Sequence, residues 1–287
     1  MKAIVKTLNL AVLKDVAIPE IDPINNVLIK VKCAAICRTD LNVASGAISA
    51  PEGLILGHEL YGEVVAVSAD AHSISIGDRV TINPTKFGEK KNLMCGVNVN
   101  GGFAEYVKVP NYLVHKLPND IQPQLGAFTE PVAASLAVLN VKYDKTSKIG
   151  IYGSNRISEL TYKILKNYGY EDVAIVNGKL PEDSYDVIIE TVIKTSDFEN
   201  IVTAIKHGGL IILKSRQYVP VEICVNSLVK KEIRMSAVNY GNFDEAISLL
   251  NKLDFSNLIG TMYPIEEYEK AFDEAKSGEA KKIFLEV

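Results

Sequence analysis

The early stretches of the chain alternate apolar and polar positions with a period of two. Met1-Lys2-Ala3-Ile4-Val5-Lys6 opens this way and Val27-Leu28-Ile29-Lys30-Val31-Lys32 repeats it. Glu63-Val64-Val65-Ala66-Val67 is a short apolar run, and Gly77-Asp78-Arg79-Val80-Thr81-Ile82 turns into a strand. Such runs separated by turn residues predict strands, so the segment up to about Pro110 reads as mostly β. After Pro131 the texture changes: 132–139 reads as a buried helix, and strands then alternate with helices. The pattern predicts strand 148–152, helix 157–168, strands 173–176 and 186–190, helix 197–206, and strands 210–213 and 233–237. That alternation is the signature of a doubly wound parallel sheet. Helices 243–253 and 265–276 and a last strand 282–287 close the chain.

The length of 287 residues, with 47% hydrophobic, suffices for two separate cores. A net charge of -4 with both signs interspersed offers no basic stripe for nucleic acid and no polybasic patch for anionic lipid. A small-molecule partner is expected. Lys14 interrupts the first apolar run before a signal core develops, and no segment approaches the roughly 20 apolar residues of a membrane span. The four cysteines (Cys33, Cys37, Cys95 and Cys224) are scattered rather than arranged as a disulfide framework. A cytoplasmic protein with reduced thiols is the expectation, with Cys33, Cys95 and Cys224 as small buried hydrophobes.

The candidate chemistry lies in Cys37-Arg38-Thr39-Asp40, Gly57-His58-Glu59 and Thr129-Glu130-Pro131. These segments supply soft, borderline and hard metal ligands, a mixture that zinc accepts, and three protein ligands leave a position open for water or substrate. His72, His115 and His207 have no such company and read as structural.

The order of these motifs resembles the medium-chain dehydrogenase/reductase family, specifically its zinc-dependent alcohol, polyol and sugar dehydrogenases. Gly57-His58-Glu59 extended to Gly62, Gly77-Asp78-Arg79-Val80, Gly101-Gly102-Phe103-Ala104-Glu105-Tyr106-Val107 and Glu130-Pro131 carry the match nearly end to end. The resemblance implies a GroES-like catalytic domain over 1–140 and a Rossmann-type nucleotide domain over 141–237, with 238–287 returning to the first. The fold class expected is therefore α/β plus β. It also implies one catalytic zinc on Cys37, His58 and Glu130, with Glu59 as a water-linked or alternating ligand and Asp40 orienting His58. Thr39 would carry the substrate proton, Arg38 would face the cofactor pyrophosphate, and Asn42 stands where many relatives have a relay histidine. Glu105 is open between a substrate contact and a turn residue. Relatives often pair through the last Rossmann strand, here 233–237, giving a homodimer or tetramer.

The chain also departs from that family. Between the Gly-Asp-Arg-Val and Gly-Gly-Phe-Ala-Glu segments only Cys95 remains of four cysteines, and one thiol cannot close a structural zinc site. No structural zinc is expected. Where Gly-x-Gly-x-x-Gly should stand, the chain has Gly153-Ser154-Asn155-Arg156-Ile157-Ser158, keeping only the first glycine. Helix-start amides and Arg156 are the compensation available to a phosphate there. Residues 177–184 are too few for a crossover helix and strand, so a Rossmann edge unit is missing and dinucleotide binding should be weaker. Asn177 replaces the acidic residue that binds the ribose of NAD, and Lys179 follows, which favours NADP. The expected activity is interconversion of a secondary alcohol of a polyol or sugar with its carbonyl. The rival reading is a zinc-containing relative that has lost dinucleotide binding and serves a binding or regulatory role.

Overall fold

The computed structural model describes residues 1–8, 10–88, 91–216, 220–278 and 280–287, without the side chains of 86–88, 91 and 92. The chain divides into two compact units, Met1–Pro131 with Phe243–Val287, and Val132–Asn242. Their seams fall at 131/132 and 242/243, where the sequence reading put 140/141 and 237/238.

The first unit is built on a seven-stranded sheet. Its central strand, Asn26–Ala35, pairs antiparallel with Glu59–Val67, with Tyr106–Pro110 and with the C-terminal strand Lys282–Glu286. Alternate residues Val27, Ile29 and Val31 are fully buried, as a period of two requires. The register brings three distant segments together, because Ala35 is opposite both Glu59 and Phe284. The chain then leaves the sheet through Ile36, whose N–H donates to Ile283 O at 2.9 Å, and enters the helix Arg38–Ala44. Cys37, Glu59 and Lys282 therefore converge at one end of the sheet. In place of a larger lobe, Thr85–Gly88 and Lys91–Met94 form a two-stranded hairpin leading to Cys95.

The second unit holds a five-stranded parallel sheet in the order Val173–Val176, Ile149–Tyr152, Tyr185–Glu190, Ile205–Leu213, Arg234–Ala237. Both faces are covered: Ile149, Ile151, Val187, Ile189 and Ile212 pack on one side, Tyr185, Ile188, Phe198, Ile201 and Ile211 on the other. Relative to the doubly wound order 3-2-1-4-5-6, the outer third strand is absent among the described residues, and the switch point between the first and fourth strands is kept. Residues 177–184 cross directly to Tyr185–Glu190, held by Asn200, whose Oδ1 accepts from Leu180 N at 2.9 Å and whose Nδ2 donates to Gly178 O. Arg234–Ala237 forms the other edge.

Several element boundaries differ from the sequence reading. The predicted helix 132–139 starts earlier, as Thr129–Leu136, and tightens into a 3-10 turn at Ala137–Asn140. Helix 197–206 is Thr195–Ala204, because the chain re-enters the sheet at Ile205. Helix 265–276 splits into a 3-10 turn, Ile265–Glu267, and the helix Tyr268–Ser277. Helix 243–253 stops at Leu250.

Candidate metal centre

Asp40 organises the site from within its own helix. Its Oδ2 accepts the Cys37 N–H at 2.8 Å, closing the start of Arg38–Ala44, and its Oδ1 lies 2.9 Å from His58 Nδ1. His58 and Asp40 are both 0% exposed. The pair fixes the imidazole so that Nε2 faces the other donors. Gly57 sets the approach: its φ of +94° suits glycine, and a Cβ there would meet Phe103 N at 2.7 Å.

The ligand atoms of Cys37, His58 and Glu59 lie within 4.8 Å of one another. Glu130 Oε1 stands 4.0 Å from His58 Nε2, and Glu59 Oε1 stands 3.9 Å from it. His58 Nε2 is buried with no hydrogen-bond partner, an expensive state unless something else meets the lone pair. Thiolate, imidazole and carboxylate around a buried, unpartnered nitrogen fit zinc. Thr39 is buried beside them, its Oγ1 3.9 Å from Cys37 Sγ. Arg38 is exposed at the helix start.

Lys282 also belongs to the site, although no sequence motif marks it. It is 1% exposed, and its Nζ donates to Glu59 Oε1 at 2.6 Å and lies 2.5 Å from Oε2. The signal was faint: in Lys281-Lys282-Ile283-Phe284, strand parity places one lysine inward, but nothing local names its partner, 223 positions away.

These groups polarise one another. Burial pushes the Cys37 thiol up, but the Lys282 charge and the neighbouring His58 imidazole outweigh it and bring it down to about 6. Burial disfavours protonated His58, yet Asp40 and Cys37 hold it well above the usual histidine value. Burial raises Glu59 well above the carboxylate range, aided by Glu130 and opposed by Lys282. In the zinc-free protein, alkylation of Cys37 should therefore rise with pH around a midpoint near 6, the thiolate being the nucleophile. By linkage, the stability contributed by that thiolate is full above its ordinary value of 9.0 and is lost as pH falls through about 6. Peptide mapping should show zinc protecting Cys37 but not Cys224. A Cys37 rate unchanged by zinc would separate this thiol from the metal centre.

Asp40→Asn should lower zinc affinity roughly 10–100-fold, the usual effect of losing an outer partner of a ligating histidine. Equilibrium zinc competition reads it directly, and wild-type affinity would show that Asp40 serves the helix start alone.

Other expected residues behave differently. Cys33 and Cys95 are buried, the Cys95 thiol pushed up to about 11 by burial. Cys224 is exposed, contrary to expectation, because it precedes a short helix with no buried residues. Glu105 is a structural partner: its Oε2 accepts Lys2 N at 2.7 Å, tying down the first strand. His115 pairs with Asp244 at 2.8 Å and stacks on Phe243, while His72 and His207 are exposed.

In the second unit, Gly153 keeps the glycine role, with φ +128° and a Cβ that would lie 2.4 Å from Thr191 Oγ1. Asn155 caps the helix Arg156–Asn167, accepting from Ile157 N and Ser158 N. Asn177 Nδ2 donates to Ser154 Oγ at 2.5 Å, and Lys179 is exposed. Asn155 thereby occupies two of the amides that a dinucleotide pyrophosphate takes in such loops.

A GroES-like domain bearing a half-buried Cys beside a buried His and carboxylate, followed by a Rossmann-type sheet, is the architecture that the sequence resemblance led us to expect. Residues 23–119 match the alcohol dehydrogenase GroES-like domain. L-threonine 3-dehydrogenase of Pectobacterium atrosepticum is 24% identical, over 94% of this chain and 89% of the relative. A putative zinc-binding dehydrogenase from Sinorhizobium meliloti 1021, bound to NADP, superposes with a TM-score of 0.88 at 22% identity, covering 100% of this chain and 99% of the other. For 2R,3R-butanediol dehydrogenase from Bacillus subtilis the TM-score is 0.87 at 24% identity, with coverage of 100% and 99%. Residues 23–119 thus carry the alcohol dehydrogenase GroES-like domain, and the chain as a whole shares the fold of the medium-chain, zinc-type dehydrogenases that it resembles. No helix among the described residues is long and apolar enough to cross a membrane.

Proposed function

We propose that the protein is a zinc-dependent oxidoreductase that interconverts a secondary alcohol of a polyol or sugar with its carbonyl, using a nicotinamide dinucleotide, NADP in preference to NAD. The observation that carries this reading is the buried, unpartnered His58 Nε2 among Cys37, Glu59 and Glu130. These four residues would hold the metal. Zinc bound there supplies a Lewis acid that polarises a substrate oxygen.

The chain's own groups do the rest of the work assigned to this unit. Asp40 holds the tautomer and direction of His58. Lys282 balances the Glu59 carboxylate, so Glu59 can move toward or away from the donor cluster without becoming an isolated buried charge. Thr39 Oγ1 is the hydroxyl assigned to relay the substrate proton, with Asn42 one turn further along the same helix, so the exit path continues through water. Arg38 is assigned to the pyrophosphate, and Asn177 and Lys179 to the 2′-phosphate that distinguishes NADP. The exposed edge strand Arg234–Ala237 suits pairing of two copies.

The test is turnover by the zinc-loaded protein with NADPH or NADH against secondary alcohols, ketoses and their polyols. Activity lost to a chelator and restored by zinc supports the reading, and no turnover with zinc bound and the protein folded refutes it. The occupied amides at Asn155 favour a second reading, a zinc-containing relative acting as a binding or regulatory protein without dinucleotide.

A further inference from the structure

The loop Gly153-Ser154-Asn155 leaves the first strand of the parallel sheet and enters the twelve-residue helix Arg156–Asn167. In dinucleotide-binding sheets, pyrophosphate oxygens take the free amides of this helix's first turn. Here Ile157 N and Ser158 N donate instead to Asn155 Oδ1, at 2.8 and 3.1 Å. The residue making these bonds stands where the fingerprint has its second glycine, so the change both adds bulk and fills the amides.

The carboxamide is pinned at its other end. Asn155 Nδ2 donates to Thr191 Oγ1 at 3.0 Å, the Thr191 hydroxyl donates to Tyr152 O at 2.9 Å, and Ser158 Oγ lies 2.8 Å from Thr191 Oγ1. With its one proton directed at Tyr152, Thr191 Oγ1 is an acceptor toward Asn155. That fixes the Asn155 nitrogen toward Thr191 and its oxygen toward the helix amides. The arrangement is a polar network whose members satisfy one another, and such networks hold a single conformation.

We propose that Asn155 is an internal surrogate for the pyrophosphate: its Oδ1 occupies the anchoring amides, and a dinucleotide binds only by displacing it. The proposal rests on the dehydrogenase reading and deepens it, since it makes Asn155 the residue that sets cofactor affinity. A neutral carboxamide is a weaker partner for a helix start than a doubly charged pyrophosphate, so the displacement lowers cofactor affinity without forbidding binding.

The experiment is calorimetric titration of the full zinc-loaded chain with NADPH. Asn155→Gly keeps a residue that caps nearly as well as Asn and takes the extended backbone, φ -145° and ψ 173°, without strain. It should bind NADPH about 5–10-fold more tightly than wild type while melting slightly lower. A merely structural cap would move the melting temperature and leave affinity alone. Asn155→Asp keeps the cap and sets a carboxylate against the phosphate, and should bind roughly tenfold more weakly than wild type. Binding by the glycine variant alone supports the proposal. Equal affinities in all three proteins overturn it and leave the dehydrogenase reading standing. No binding by any of them, with zinc present and the proteins folded, overturns the proposal together with the dinucleotide assignment. Should the glycine variant fail to fold, the aspartate variant decides: wild-type affinity, or no binding by either, overturns the proposal.

Discussion

Cys37→Ser should leave a folded protein that no longer retains zinc. Cys37 is the soft donor of the cluster, its thiol already lowered to about 6 by Lys282 and His58 against the effect of burial. A serine hydroxyl stays protonated at neutral pH and cannot replace a thiolate on zinc. The loss should exceed the roughly 10–100-fold effect expected for an outer partner such as Asp40. Zinc content by elemental analysis should fall from one per chain to a trace, with any zinc-dependent turnover falling alongside it. The fold should persist, because the strand and helix around position 37 are held by backbone pairs and by Asp40. Stoichiometric zinc in the serine variant would show that the metal centre lies elsewhere.

Lys282→Met should produce the largest loss of stability. The substitution keeps the volume of the buried stem and removes the charge facing Glu59, leaving a carboxylate that is 1% exposed without its counter-ion. Breaking a buried pair from one side typically costs about 3–5 kcal/mol, far more than the pair contributes relative to an apolar replacement. Urea unfolding should therefore show a loss of that size, and Glu59→Gln combined with Lys282→Met should recover most of it, because the two positions are coupled. Zinc should rescue the single variant more than wild type, since a cation near Glu59 replaces the missing charge. Wild-type stability in the Lys282→Met protein would mean that Glu59 is carried there in its neutral form.

Much of the site was legible because its parts are local. Cys37 to Asp40 is one contiguous segment whose spacing is that of a helix start, with the acidic residue reaching back to the Cys37 amide. The helix itself is not legible in the sequence, because the seven residues Arg38–Ala44 make too few helical repeats to show a period. The missing edge strand was legible as a shortage of residues: the stretch 177–184 cannot hold a helix and a strand, and chain length alone limits what it can span. Asn155 carried a recognisable signal as well, an Asn immediately before a helix. The fingerprint obscures that signal, because Asn155 stands where its second glycine is expected.

The sequence by itself determined most of the strands and longer helices, which residue types could offer metal ligands, and where the nucleotide fingerprint and the sheet edge are reduced. Periodicity, donor chemistry and segment length are properties of neighbouring residues, and neighbours are visible in a linear string. Tertiary structure alone decided that Lys282 stands against Glu59, that His58 Nε2 is left buried and unpartnered among three other ligand groups, and that Thr191 pins Asn155 onto the helix amides. Each of these depends on strand register. Ala35 lies between Glu59 and Phe284 in one sheet, and Ile189 lies beside Ile151 in the other. Register is set by the burial of whole faces, a collective outcome that no single segment encodes.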